Sequence, residues 1–292
     1  MTRVVAVGLA LLTLGGCASG ATADPDGHGP TVSSVPGAVP RPDHVLVVIF
    51  ENKGYSQVVG RGDAPYLNSL ATSGANFTES HGLAHPSQPN YIALLSGSTQ
   101  GVTDDACPQN LGAKPNLARQ LIDAGRSFAG YSEGIPANGF AGCTSPDHSY
   151  ARKHNPWVDF SNVPASDNLP YQRFPTDFSA LPTVSFVVPN MCNDMHDCSV
   201  STGDTWAGRT LPAYVQWASA HNSLLVVTFD EDDNTDANHI PTILVGPMVR
   251  PGNTSQNIDH YNVLRTLEDM YGLAPLGAAA SAQPITGIWT HP

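Results

Sequence analysis

Between Ser223 and Asp233 an apolar run, SLLVVTF, breaks directly into four consecutive acids, DEDD. Leu224–Phe229 has the length and β-branched content of a strand buried on both faces, so Asp230, Glu231, Asp232 and Asp233 fall just past its C-terminal edge. Four adjacent carboxylates repel one another, and a cation or basic groups make such a cluster tolerable at neutral pH. A hard metal ion held by oxygen ligands is the first expectation, with a solvated acidic turn as the plain alternative. An EF-hand is a poor third reading. Counted from Asp230 or Asp232, the sixth loop position is Thr235 or Ala237 where Gly is needed, and the twelfth is Pro241 or Ile243 where Glu is needed.

Two more apolar runs end in the same way. His44–Phe50 stops at Glu51 and Asn52, and Thr183–Val188 stops at Pro189 and Asn190 before the segment NDMHD, residues 193–197. Further strands are expected at 75–79, 127–131 and 240–245. Helices are expected at 66–73, closed by Gly74, at 116–124, closed by Gly125, at 211–221, and at 262–271 with His260 just before it. Strands alternating with helices predict an α/β fold, a mostly parallel central sheet with helices on both faces. Ligands of such sheets bind beyond the strand C-termini, which would gather Glu51, Asn52, residues 190–197 and Asp230–Asp233 at one edge. Glu51, Asn52, Asp230 and Glu231 then form an oxygen shell suited to one divalent ion, Ca, Mg or Mn, rather than a thiolate zinc site.

The segment HPSQPNY, 85–91, reads as a loop entering a helix, with Pro89 in the first turn, where its missing N–H costs nothing. Ser87 therefore lies at a helix N-terminus, a natural anion site. Two roles stay open for it, a helix cap or a nucleophile. The long irregular stretch 132–181 carries His148, Arg152, Lys153 and His154, the densest basic cluster of the chain, and His196 lies in the 193–197 segment. A metal beside a serine at a helix N-terminus, with His and Lys near, describes hydrolytic transfer of an anionic group. Imidazole titrates near pH 6.5, so a mechanism that needs imidazolium favours mild acid.

With 13 Lys+Arg against 25 Asp+Glu, the net charge of −12 argues against nucleic acid or an anionic membrane surface as a partner for the protein as a whole. Residues 1–17 have the basic start and short apolar core of an export signal, closing at Leu14-Gly15-Gly16-Cys17. That ending is lipobox-like, which makes Cys17 a lipidation site and a lipid anchor the only membrane contact expected. Residues 18–42 should be a flexible tether, and 43–292 one domain, monomeric and exported to the cell surface or beyond. The four remaining cysteines then sit in an oxidising setting that favours disulfides. Three pairings are open, and Cys107–Cys143 with Cys192–Cys198 is preferred.

Seven ordered segments, 49–60, 85–97, 150–157, 193–197, 223–233, 239–252 and 260–272, together resemble the phosphoesterase family of bacterial acid phosphatases and phospholipases C. The likeness runs from about His44 to Trp289 and implies an alkaline-phosphatase-like fold. It implies Glu51, Asn52, Asp230, Glu231 and Ser87 as metal ligands, and Ser87 as the nucleophile that becomes phosphorylated. His154 and His196 would bind phosphate and carry out acid–base catalysis, and Asn90 would touch the phosphate. Asp232, His85 and His260 would support this shell. The activity implied is a metal-dependent acid phosphatase acting on phosphomonoesters, phosphoinositides among them. The alternatives are a phospholipase C acting on phosphodiester lipids and, from another class, a non-catalytic calcium-binding surface lipoprotein.

Overall fold

The computed structural model describes Met1 and residues 39–290; the signal and lipobox expected at 1–17 and the tether through residue 38 lie outside the described residues. In chain order the elements are β1 (His44–Phe50), α1 (Tyr55–Val58), α2 (Pro65–Ser73), β2 (Ala75–Phe77), β3 (Ser80–His81), α3 (Ser87–Ser96), α4 (Leu117–Asp123), β4 (Phe128–Ser132) and β5 (Asn168–Pro170). There follow β6 (Val184–Val188), α5 (Val200–Thr210), α6 (Pro212–Ala218), β7 (Ser223–Phe229), β8 (Thr242–Val245), β9 (Gly252–Thr254), β10 (Ile258–Asp259) and α7 (His260–Tyr271). Eight strands form one sheet in the order β5-β4-β6-β1-β7-β8-β2-β9, in which β8 alone runs antiparallel to its neighbours; β3 and β10 pair separately.

Both faces of the central strands are covered, which is why their sequences are continuously apolar. Val45, Val47 and Ile49 of β1 point into one core with α3, α4 and α7. Leu46, Val48 and Phe50 point into the other, with α2, α5 and α6. Burial of this kind is worth ~25 cal/mol per Å² of apolar surface and is the dominant favourable term. The predicted α/β architecture with helices on both faces is therefore present. Among the described residues no helix is long and apolar enough to cross a membrane.

Four local outcomes differ from expectation. The tether ends earlier than residue 42, because Pro40 and Pro42 are buried and the carbonyls of Arg41 and Pro42 accept hydrogen bonds from Asn222 and Tyr271. The helix expected at 211–221 is the shorter α6, and it is preceded by α5, which was not expected. Of the strand expected at 75–79 only residues 75–77 form β2, β3 follows at 80–81, and β9 extends the sheet beyond β2. Gly74 stops α2 in an extended rather than left-handed conformation, and a Cβ there would lie 2.3 Å from the Leu244 carbonyl oxygen of β8. Glycine is required at this position by close backbone approach. The preferred disulfides, Cys107–Cys143 and Cys192–Cys198, are both formed.

Candidate active site

The register of the sheet builds the site. β1 and β7 pair so that Phe50 faces Phe229, which brings Glu51 and Asp230 side by side, and Asp230 N–H donates to the Phe50 carbonyl at 3.0 Å. On the other side β1 pairs with β6, and Glu51 N–H donates to the Asp194 carbonyl at 2.8 Å. The three polar strand ends thus meet at one edge. Asn52 is half-buried with φ of 51°, and its N–H donates to Asp230 Oδ1 at 3.2 Å.

Ser87 is the first residue of α3, and Pro86, which has no side-chain donor or acceptor, is the cap. The Ser87 hydroxyl caps nothing. It is buried and lies 3.0 Å from Glu51 Oε2 and 3.2 Å from Glu231 Oε1. Asn90 is one turn further along α3. Its amide oxygen accepts from Leu83 and Ala84 N–H, and its nitrogen donates to the Ala84 carbonyl at 2.8 Å and approaches Glu231 Oε2 at 3.4 Å. These bonds hold the 83–86 turn, so the phosphate contact expected of Asn90 has its polar atoms already engaged.

The basic cluster of 148–154 divides. Arg152 turns inward, pairs with buried Asp159 at 3.0 Å and donates to the carbonyls of Ala141 and Gln109, while His148 lies exposed. Lys153 and His154 reach the site. His154 is buried with Nδ1 3.3 Å from Asp194 Oδ2 and its ring stacked on Tyr91. Its Nε2 is 2.9 Å from Glu51 Oε1, although the two atoms are not aligned as a hydrogen bond. Burial would lower the imidazole pKa, but the close carboxylates, Glu51 first and then Asp194, outweigh it and lift it to about 9. In turn, burial would raise Glu51, and the His154 charge holds it down to about 2. His196 is half-buried, with Nδ1 2.8 Å from Asp197 Oδ1 and Nε2 3.0 Å from Lys153 Nζ. Its ring lies 5.4 Å from that of His154.

His85, Asp232 and His260, expected as a supporting shell, lie next to the acids. His85 reaches Glu231 Oε2 at 2.7 Å and Asp232 Oδ1 at 3.2 Å. His260 bonds the Asp230 carbonyl at 2.6 Å. Asp194 and Asp105 were missed. The first has a visible signal, an acid two residues before His196 in a loop closed by a disulfide. For the second the sequence offers none.

The donor set fits a divalent cation. Asp230 Oδ2 is buried without a hydrogen-bond partner. Burial, then the charges of Glu51 and Glu231, push Asp230 far above the carboxylate range; burial and then Glu51 push Glu231 up to about 8. Carboxyls that must take up protons to coexist are where a cation replaces those protons. A second grouping exists, since Glu51, His154 and His196 each offer an atom within 4.8 Å of the others. For a hard cation the oxygen set is the better one, because there Asp230 Oδ2 is buried without a partner beside two further carboxylates.

Comparison with known proteins agrees with this geometry. The profile of the phosphoesterase family matches residues 58–274. The phosphatidylinositol-3-phosphatase of Mycobacterium tuberculosis is 48% identical over 96% of this chain and 94% of its own length. The phosphate-repressible acid phosphatase of Penicillium chrysogenum is 33% identical over 72% of this chain, which spans only 55% of that enzyme. In fold, a protein of the alkaline phosphatase superfamily from Vibrio parahaemolyticus superposes with a TM-score of 0.62 at 12% identity, over 83% of this chain and 69% of its own. The chain belongs to the phosphoesterase family and is a hydrolase of phosphate esters.

Proposed function

We propose that this hydrolase is a metal-dependent acid phosphatase that cleaves phosphomonoesters through a phosphoserine at Ser87. The observation that carries the proposal is the Ser87 hydroxyl, free of any capping duty and set between Glu51 and Glu231 at the head of α3. Glu51, Asp230, Glu231 and Ser87, with Asn52 beside them, would hold the cation, which would supply charge stabilisation and lower the hydroxyl pKa. Ser87, its hydroxyl proton released to solvent, attacks phosphorus through Oγ as the bond to the leaving oxygen breaks. That oxygen takes its proton from the Lys153 Nζ–His196 Nε2 pair, and His154, as imidazolium, balances charge on the phosphoryl oxygens. Water then attacks the phosphoserine and regenerates Ser87 and inorganic phosphate. Asn90 serves by fixing the turn that presents Ser87.

Acid preference and action on phosphoinositides rest on the names of the relatives. Export rests on the two disulfides, which suit an oxidising compartment. Lipidation at Cys17 would show as a diacylglyceryl mass on the mature protein.

The test is phosphate release from p-nitrophenyl phosphate by the purified full chain across pH 4–9, before and after EDTA, with Ser87→Ala beside it. Acid-peaked release that is lost with chelator and absent in Ser87→Ala is expected. Retained activity in Ser87→Ala would remove it as nucleophile, and faster cleavage of a phosphatidylcholine headgroup would move the enzyme to the phospholipase C side. Metal analysis decides between ligand sets: calcium, magnesium or manganese for the oxygen set, zinc for the grouping with His154 and His196.

A further inference from the structure

Asp105 lies in the loop after α3 and connects two groups beside the nucleophile. Its Oδ1 accepts the Gln88 N–H at 2.9 Å, and its Oδ2 accepts Lys153 Nζ at 2.8 Å. Gln88 directly follows Ser87, and Lys153 Nζ is also 3.0 Å from His196 Nε2. One carboxylate therefore bridges the nucleophile's helix and the arm that carries Lys153 and His154. Its neighbours leave these donors to it. Pro86 offers no capping side chain, and Pro89 has no N–H of its own, so Gln88 supplies the amide next to Ser87. The side chain is 27% exposed, and Asp104 and Ala106 on either side are exposed, so Asp105 has room to swing outward.

Two oxygens of a −1 group on one amide and one ammonium, next to a nucleophile, are what a phosphoryl group would also present. A phosphate dianion and Asp105 cannot share these donors without placing like charges in contact. We propose that Asp105 is an internal stand-in for phosphate, holding the Gln88 and Lys153 donors closed until substrate displaces it and reclaiming them to expel inorganic phosphate. The proposal rests on the reading of Ser87 as nucleophile, since that reading makes these donors phosphate-facing. Asp105 contacts no reacting atom; it sets affinity by competing for donors.

The experiment measures the Kd of inorganic phosphate by calorimetry on the metal-loaded full chain and on Asp105→Asn, with KM and kcat alongside. Asn keeps the shape and one acceptor but removes the charge. Charge-assisted hydrogen bonds returned to phosphate should tighten its binding about tenfold or more, with KM falling and kcat falling as release slows. In Lys153→Gln the same Asp105→Asn change should shift Kd much less, because the shared donor is gone. An unchanged or weakened phosphate affinity in Asp105→Asn would overturn the proposal and leave Asp105 as a prop for Lys153. If Asp105→Asn does not fold, the wild-type chain with 13C-labelled Asp carboxyls serves instead. The Asp105 resonance must move on saturation with phosphate, and a fixed resonance overturns the proposal. A wild type that binds phosphate but releases none from esters would sink the catalytic reading of Ser87 and with it the role of Asp105 in turnover, whereas active enzyme with an unchanged phosphate Kd in Asp105→Asn overturns the stand-in alone.

Discussion

Asp230 and Asp232 stand two residues apart at the end of β7, both fully buried, and their carboxylates meet opposite surroundings. Asp232 is saturated: Oδ1 accepts from Asn234 N–H at 2.7 Å and faces His85, and Oδ2 accepts from Asp236 and Asn238 N–H at 2.7 and 2.8 Å. Asp230 receives the Asn52 N–H on Oδ1, while Oδ2 has no partner and two further carboxylates lie close. The first has become part of the backbone's hydrogen-bond system and shapes a loop. The second is left with unspent acceptor capacity. Residue type and burial are equal, so the supply of donors decides which acid is structural and which is available to a cation.

The comparison is broken most directly at Asp230. Asp230→Ala should lower kcat/KM by more than about 10³-fold, since a bound cation supplies several kcal/mol of transition-state stabilisation. It should also empty the site of metal, with a smaller loss of thermal stability in the metal-free protein, because only the Asn52 N–H loses its acceptor. Full activity with normal metal content would detach Asp230 from the site. Asp232→Ala should show the reverse pattern: about 2–3 kcal/mol of stability lost as three backbone N–H groups lose their acceptor, with metal still bound. A melting temperature equal to wild type would mean that the 232–238 loop does not depend on that carboxylate.

The same contrast explains what the sequence could disclose. β1, β6 and β7 are legible because burial on both faces demands unbroken apolar runs, and the polar residues that follow are legible as strand ends. α5 is not. VSTGDTWAGRT holds two glycines and four Ser or Thr residues, all poor helix formers. Tertiary contacts hold it: Asp204 accepts the Tyr66 and Leu67 N–H groups at the head of α2. A Cβ on Gly203 would lie 2.4 Å from Met195 Cγ, so glycine there lets the 192–198 loop close down. For Ser87 the sequence stops at the helix start, where cap and nucleophile look alike; Glu51 and Glu231 arrive from strand ends far along the chain. Asp105 was invisible for the same reason, its lysine lying 48 residues away.

Glu268 sharpens the comparison away from the site, because it is a buried carboxyl of intermediate kind. Oε1 accepts the Leu276 N–H at 2.8 Å, and Oε2 has no partner. Burial pushes its pKa from 4.5 up to about 7. A carboxyl whose folded-state pKa is raised stabilises the fold fully below its unfolded value, and that contribution is lost as pH rises through the folded value. The wild-type fold should therefore lose stability between about pH 4.5 and pH 7 on this account. Glu268→Gln keeps the acceptor for Leu276 and cannot ionise. Its melting temperature should match wild type at pH 4 and exceed it at pH 8, by an amount equivalent to about 3 kcal/mol. A difference that stays constant across that range would mean that Glu268 ionises freely when folded. Its single backbone donor would then be as sufficient for a buried carboxylate as the fuller set around Asp232.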